Sequence, residues 1–212
     1  MNPVAMRTDQ PDRAKVALPL DLIERIFLLV TLGWFLSHLL ASLKLQPLNI
    51  FLIVSESLPV LFTLIRKTGL ITSSRIAWSA SIVGTFTPLL ILPGGVHAAP
   101  PAVFGTLMAA GLLIGIAAKL SLNRRFGIVP ANRGLARAGA YRYVRHPMYL
   151  GYMISHIGFL LGNLSGYNLV VYGVTWAALL FRIRLEESLL SNDSAYLGYR
   201  QAVKYRLVPG LY

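Results

Sequence analysis

The chain has 212 residues, 55% of them hydrophobic and only 13% charged, with a mean hydropathy of +0.61, which excludes an ordinary soluble domain. It contains no Cys, which rules out disulfides, thiolate metal sites and a cysteine nucleophile. Its net charge of +12 raises the question of a nucleic-acid partner, which the placement of the basic residues answers below.

Apolar runs of about 18 to 24 residues recur along the chain, the length a ~30 Å hydrocarbon core demands. They predict an all-α, polytopic membrane bundle with six spans, near 22–43, 48–65, 76–93, 102–122, 147–163 and 167–185, after a cytoplasmic segment 1–21 and before a cytoplasmic C-terminal helix. The first run is too long for a signal-peptide core and no small-residue cleavage site follows it, so it reads as an uncleaved span. Glu56 falls mid-span in the second run, where a carboxylate is costly and needs either a structural hydrogen bond or a role in binding the substrate. Pro93, Gly94, Gly95, Pro100 and Pro101 mark an outer loop. Gly111 and Gly115 make a GxxxG in the fourth span, read as close helix packing inside one subunit. The polar turn from Asn163 to Asn168 is short enough to make the last two spans a tight antiparallel hairpin. His38 and His156, single polar residues on apolar helices, are expected to hydrogen-bond in the core.

Nineteen of the twenty Lys and Arg fall on one side of this six-span arrangement: four up to Arg25, three from Arg66 to Arg75, seven from Lys119 to Arg145 and five from Arg182 onward. Only Lys44 lies opposite. This is the positive-inside pattern, and it puts both termini in the cytoplasm. Basic residues that cap membrane helices need no nucleic acid to explain them.

Two clusters stand out on that face. The first is the stretch 139–152, GAYRYVRHPMYLGY. Proline is tolerated at the first helical position, so Pro147 opens a helix and His146 lies at its cap; free helix N–H groups beside Arg145 and His146 favour an anion. Tyr149 sits in the first turn, and Gly151 leaves room for something flat. The second cluster is Arg182 with Glu186 and Glu187. Arg182 and Glu186 can pair at i,i+4, while adjacent carboxylates point about 100° apart, so one can pair and the other enter a pocket. The hairpin between the clusters is roughly two membrane thicknesses long at ~1.5 Å per residue, which returns the glutamates to the level of His146.

The spaced set Gly139, Tyr141, Arg145, His146, Pro147, Tyr149 and Gly151, then Arg182, Glu186 and Glu187, then Tyr196, Tyr199, Arg206 and Pro209, resembles the isoprenylcysteine carboxyl methyltransferase and phospholipid methyltransferase family over about residues 120–212. The resemblance implies an integral membrane methyltransferase that uses S-adenosylmethionine. Tyr141, Arg145, His146, Pro147, Tyr149, Gly151, Glu186 and Glu187 would hold the cofactor, and a membrane lipid or other lipophilic acceptor would enter from the bilayer. On that reading residues 123–212 form the cofactor region and 22–122 the scaffold and acceptor region, with Glu56 and Arg133 as substrate contacts. Arg133 stands where the prenylcysteine enzymes have His, so the acceptor need not be prenylcysteine.

Transfer would proceed by in-line displacement at the methyl carbon, with positioning by Arg145 and His146 supplying most of the acceleration. For an amine acceptor, Glu187 or His146 receives the proton. No His, Asp and Glu set has metal-ligand spacing, so no metal is expected. Two other readings stay open: an NADPH-dependent reductase of the sterol type, whose tail YRLVPGLY resembles but which carries Asn where Met148 stands, and a non-enzymatic transporter or lipid-binding protein.

Overall fold

The computed structural model describes residues 22–23, 25–37, 40, 49–65, 70–71, 74–125, 127, 129, 131–132 and 134–212. Arg133 and His38 lie outside the described residues, and so does the side chain of Glu56. The architecture is all-helical. Among the described residues seven α-helices follow in chain order: α1 (Arg25–Ser37), α2 (Asn49–Leu64), α3 (Arg75–Phe86), α4 (Pro101–Leu122), α5 (Pro147–Gly162), α6 (Gly166–Leu190) and α7 (Ser194–Ala202). A two-residue antiparallel ladder, β1 (Leu70–Ile71) with β2 (Ala131–Asn132), ties the α2–α3 connection to the loop after α4.

Each expected span has a helix at its place, and the boundaries have local causes. The third stops as an α-helix at Phe86 and runs on as a 3-10 turn, Thr87–Leu90. Pro88 explains this, because it lacks an N–H and its ring crowds the carbonyl four residues back. Helix α6 continues to Leu190, five residues past the expected end, and so carries both glutamates on rigid helix. Among the described helices, α4 and α6 are long and apolar enough to cross a membrane. Only 22% of the most apolar window of α4 is buried; Val103, Leu113 and Leu120 are exposed along it, as are Leu169, Val170, Val174 and Phe181 on α6. An apolar helix with an apolar exposed surface suits lipid, not water.

The α5–α6 pair is a hairpin whose arms meet through long side chains, His156 stacking on Tyr172 and Tyr149 bonding to Glu186. Asn163 ends α5, and the Ser165 side chain caps α6 by accepting from Asn168 N–H at 3.1 Å. The turn is stapled to the outer loop: Asn168 accepts from Leu92 N–H at 3.1 Å, and Asn163 from Gly94 N–H at 2.8 Å. The closest backbone neighbours of the two arms are other helices, α4 for α5 and α3 for α6. The α4–α5 contact is made by glycine. A Cβ on Gly151 would sit 2.6 Å from Gly111 O and from Gly115 N, and one on Gly111 would sit 2.5 Å from Ser155 N. The GxxxG therefore closes a contact within the subunit. The same contact corrects the expectation for Gly151: its missing side chain admits α4, not a ligand. Lys119, counted with the cytoplasmic charges at the end of the fourth span, is fully buried in the last turn of α4 with its Nζ 4.9 Å from the centre of the Tyr152 ring.

Candidate functional site

The base of the bundle is organised by the loop that leads into α5. Gly139 has φ +60°, and a Cβ there would overlap Ser121 Oγ of α4, so the motif glycine is required both for its backbone and for its close approach. Residues 139–142 form a 3-10 turn, Tyr141 is buried, and His146 is the N-cap with Pro147 opening α5, as the sequence predicts.

The C-terminal segment locks onto this entry. Arg145 N–H donates to Tyr205 O at 2.9 Å and His146 N–H to Arg206 O at 2.8 Å, a short extended pairing. The Arg145 Nη1 donates to Val203 O at 3.0 Å and to Lys204 O at 2.9 Å. The Tyr199 hydroxyl donates to Tyr141 O at 2.7 Å.

Glu186 and Glu187 reach this level from α6 and diverge there. Glu187 is 5% exposed and wholly engaged. Its Oε1 accepts from Arg145 Nε at 2.8 Å and lies 3.1 Å from His146 Nε2, while its Oε2 accepts from Arg206 Nε at 2.8 Å. Glu186 Oε1 accepts from the Tyr149 hydroxyl and from Arg182 Nε at 3.2 Å; its Oε2 is 3.8 Å from His146 Nδ1. Arg182, 4% exposed, also reaches Gly127 O at 3.4 Å and lies 5.4 Å from the centre of the Tyr149 ring. A carboxylate only accepts, so the contact with Glu187 puts a proton on His146 Nε2, and Nδ1 faces Glu186.

A cavity opens beside this network, lined by Tyr141, Arg145, His146, Tyr149, Glu186, Tyr196 and Tyr199 among others. Glu187 is not among its walls. Of the expected cofactor residues, Tyr141, Arg145, His146, Tyr149 and Glu186 line it, while Pro147, Gly151 and Glu187 shape it from behind. Residues the sequence reading left out of the site also belong to it. Arg206 closes the Glu187 cluster, and Tyr196, 3% exposed, has a buried hydroxyl with no hydrogen-bond partner. Both stood in the recognised pattern, and their spacing from the clusters was the available signal.

Burial pushes the Tyr196 hydroxyl above its ordinary range, and the nearby Glu187 charge pushes the same way from beyond hydrogen-bond geometry. Burial first, then the Glu186 charge, raises Tyr141 as well. The hydrogen bond to Glu187 raises Arg206, so that ion pair holds through any working pH. These tyrosines are neutral donors and aromatic walls, not bases.

A second cavity lies on the other side of Tyr149. It is mostly apolar, lined by Leu28, Leu32, Val60, Leu89, Tyr152 and Leu179 among others, and so draws on α1, α2 and the end of α3 as well as on the α5–α6 pair. The two cavities have two lining residues in common, Met148 and Tyr149.

The S-adenosylmethionine expected from the sequence fits the first cavity. Four tyrosines line it and attract a sulfonium or ammonium, Glu186 adds an anionic wall, and the orphaned Tyr196 hydroxyl awaits a polar ligand atom. Among the described residues no group of three or more His, Asp or Glu is placed to hold a metal ion.

Residues 103–193 match the phospholipid methyltransferase family, a range that runs from α4 through α6 and stops at the cap of α7. It begins earlier than the resemblance read from the motifs and ends before the tail that carries Arg206. No curated protein matches the chain.

Proposed function

We propose, from the premise that residues 103–193 form a phospholipid methyltransferase domain and that the protein is therefore a membrane methyltransferase dependent on S-adenosylmethionine, that the tyrosine-lined cavity holds the methyl donor. The apolar cavity beyond Tyr149 takes the head-group end of a lipid, which enters from the bilayer. The observation that carries this reading is the shared wall: Met148 and Tyr149 belong to both cavities, so a donor in one and an acceptor in the other meet at one place. The charge census puts the site on the cytoplasmic side, with both termini there and six spans in all.

S-adenosylmethionine, when bound, supplies an electrophilic methyl group on a sulfonium. The chain supplies everything else. Aromatic walls stabilise positive charge without neutralising it, which matters because charge is dispersed as the methyl is passed on. The apolar acceptor cavity excludes water and strengthens the remaining electrostatics. Glu187, held by two arginines and a histidine, fixes the floor. Glu186 is the better proton acceptor for an amine: its Oε1 is occupied by Tyr149 and Arg182, but its Oε2 makes no hydrogen bond and lies 3.8 Å from His146 Nδ1. A proton taken at Oε2 can pass to Nδ1 and leave the cavity. The proton role therefore goes to Glu186 backed by His146, and Glu187 becomes a positioning residue for Arg145 and His146.

The test is methyl transfer from labelled S-adenosylmethionine into a membrane lipid extract by purified protein. Label is expected in a lipid, and Glu186→Gln is expected to lower the rate about 10²-fold, the usual weight of a general base. Absence of label in every lipid fraction overturns the proposal.

A further inference from the structure

Among the polar side chains that line the acceptor cavity is a histidine, His156, that methyl transfer does not use. His156 lines it from α5, seven residues beyond Tyr149 and therefore about 10 Å farther along the helix. Its ring is held by an aromatic neighbour: it stacks on Tyr172 with centroids 4.4 Å apart, and the Tyr152 ring lies nearly parallel to it at 6.3 Å. Its edge is fixed too, because Trp176 Nε1 lies 3.2 Å from His156 Nδ1. An indole N–H only donates, so Nδ1 accepts, the imidazole is neutral, and its proton sits on Nε2. Among the described residues Nε2 has no hydrogen-bond partner. An N–H donor held rigidly in an apolar cavity is costly unless something accepts from it.

We infer that His156 donates from Nε2 to an acyl carbonyl oxygen of the lipid acceptor, and that this contact selects ester-linked over ether-linked lipids. The inference rests on the apolar cavity being the acceptor site. The spacing fits: in an aminophospholipid the head-group nitrogen and the acyl carbonyl oxygen are separated by roughly ten bonds, about 10–12 Å along an extended chain. That is the separation of Tyr149, where transfer occurs, from His156. Of the two linkages, the ester brings a carbonyl oxygen to this depth, a strong acceptor; the ether offers only a weak one. Trp176 acts as a positioning residue, since it decides which nitrogen carries the proton.

Two lipids with the same head group and chain lengths, one diacyl and one dialkyl, are bound to the purified full-length protein in detergent and their Kd values compared by native mass spectrometry. The wild type is expected to bind the diacyl lipid about five- to tenfold more tightly, the worth of one hydrogen bond. His156→Phe is expected to bring that ratio to about one, and His156→Gln, which keeps an N–H, to restore part of it. Trp176→Phe frees the tautomer and should lower the ratio at least twofold, which keeps the test decisive where His156→Phe does not fold. A wild-type ratio of one, or a ratio unchanged in either aromatic variant, overturns the inference. Methyl transfer to the same lipids is read separately. Diacyl preference without any methylation would leave the His156 contact standing and remove the methyltransferase reading of the cavity.

Discussion

Glu186 and Glu187 have the same side chain and adjacent positions, and burial gives them different work. Glu187 is saturated by Arg145, His146 and Arg206, so neutralising it leaves the buried Arg145 facing an amide inside the protein and the part-exposed Arg206 without its carboxylate. Breaking a buried pair from one side costs about 3–5 kcal/mol, and Glu187→Gln is expected to destabilise the protein on that order, measured by thermal unfolding in detergent. Glu186→Gln takes the carboxylate from Arg182 alone and at a more exposed position, so it should lower the melting temperature less than Glu187→Gln does and act on turnover as well. Equal melting temperatures for the two variants would contradict this division. The sequence made the pair visible, but not the division, because helical geometry says only that adjacent side chains point about 100° apart. Which of them meets a cavity depends on where the tail folds back, and Arg206 lies 19 residues from Glu187.

At the scale of elements, the site is held by the seam between α4 and α5. Gly151→Ala puts a methyl 2.6 Å from backbone atoms of Gly111 and Gly115, which cannot yield without moving a helix. Overpacking of this kind costs about 1–3 kcal/mol, and the shift would carry Tyr149 with it, so both stability and activity should fall. Gly173 on α6 is the control: nothing lies within 4 Å of a Cβ placed there, and Ala at a helical glycine in open space stabilises by roughly 0.5–1 kcal/mol. Comparing the unfolding midpoints of Gly151→Ala and Gly173→Ala gives opposite signs if the seam is as described. The positions of the helices were legible in the apolar periodicity and in Pro147, Asn163 and Ser165. Their closest neighbours were not, because a short polar turn specifies that two helices are connected and antiparallel, not which other helices they pack against.

For the whole molecule, a ligand that binds only the folded state raises its apparent stability by RT ln(1 + [L]/Kd), about 2.7 kcal/mol at a hundredfold excess over Kd. S-adenosylmethionine and its demethylated product are expected to raise the melting temperature, and NADPH to leave it unchanged. A shift with NADPH alone would restore the reductase reading. The sequence by itself determined the helical class, the placement of the helices, the methyltransferase motifs and the side of the membrane that the charges favour. These follow from local physics: the apolar length a bilayer requires, proline at a helix start, and the electrostatic bias of basic loops. Tertiary structure alone decided that Gly151 serves packing, that Glu187 is enclosed while Glu186 faces the cavity, and that Met148 and Tyr149 separate two chambers. Each of these depends on contacts between residues far apart in the chain, and no periodicity or spacing within one segment encodes which distant surface will meet it.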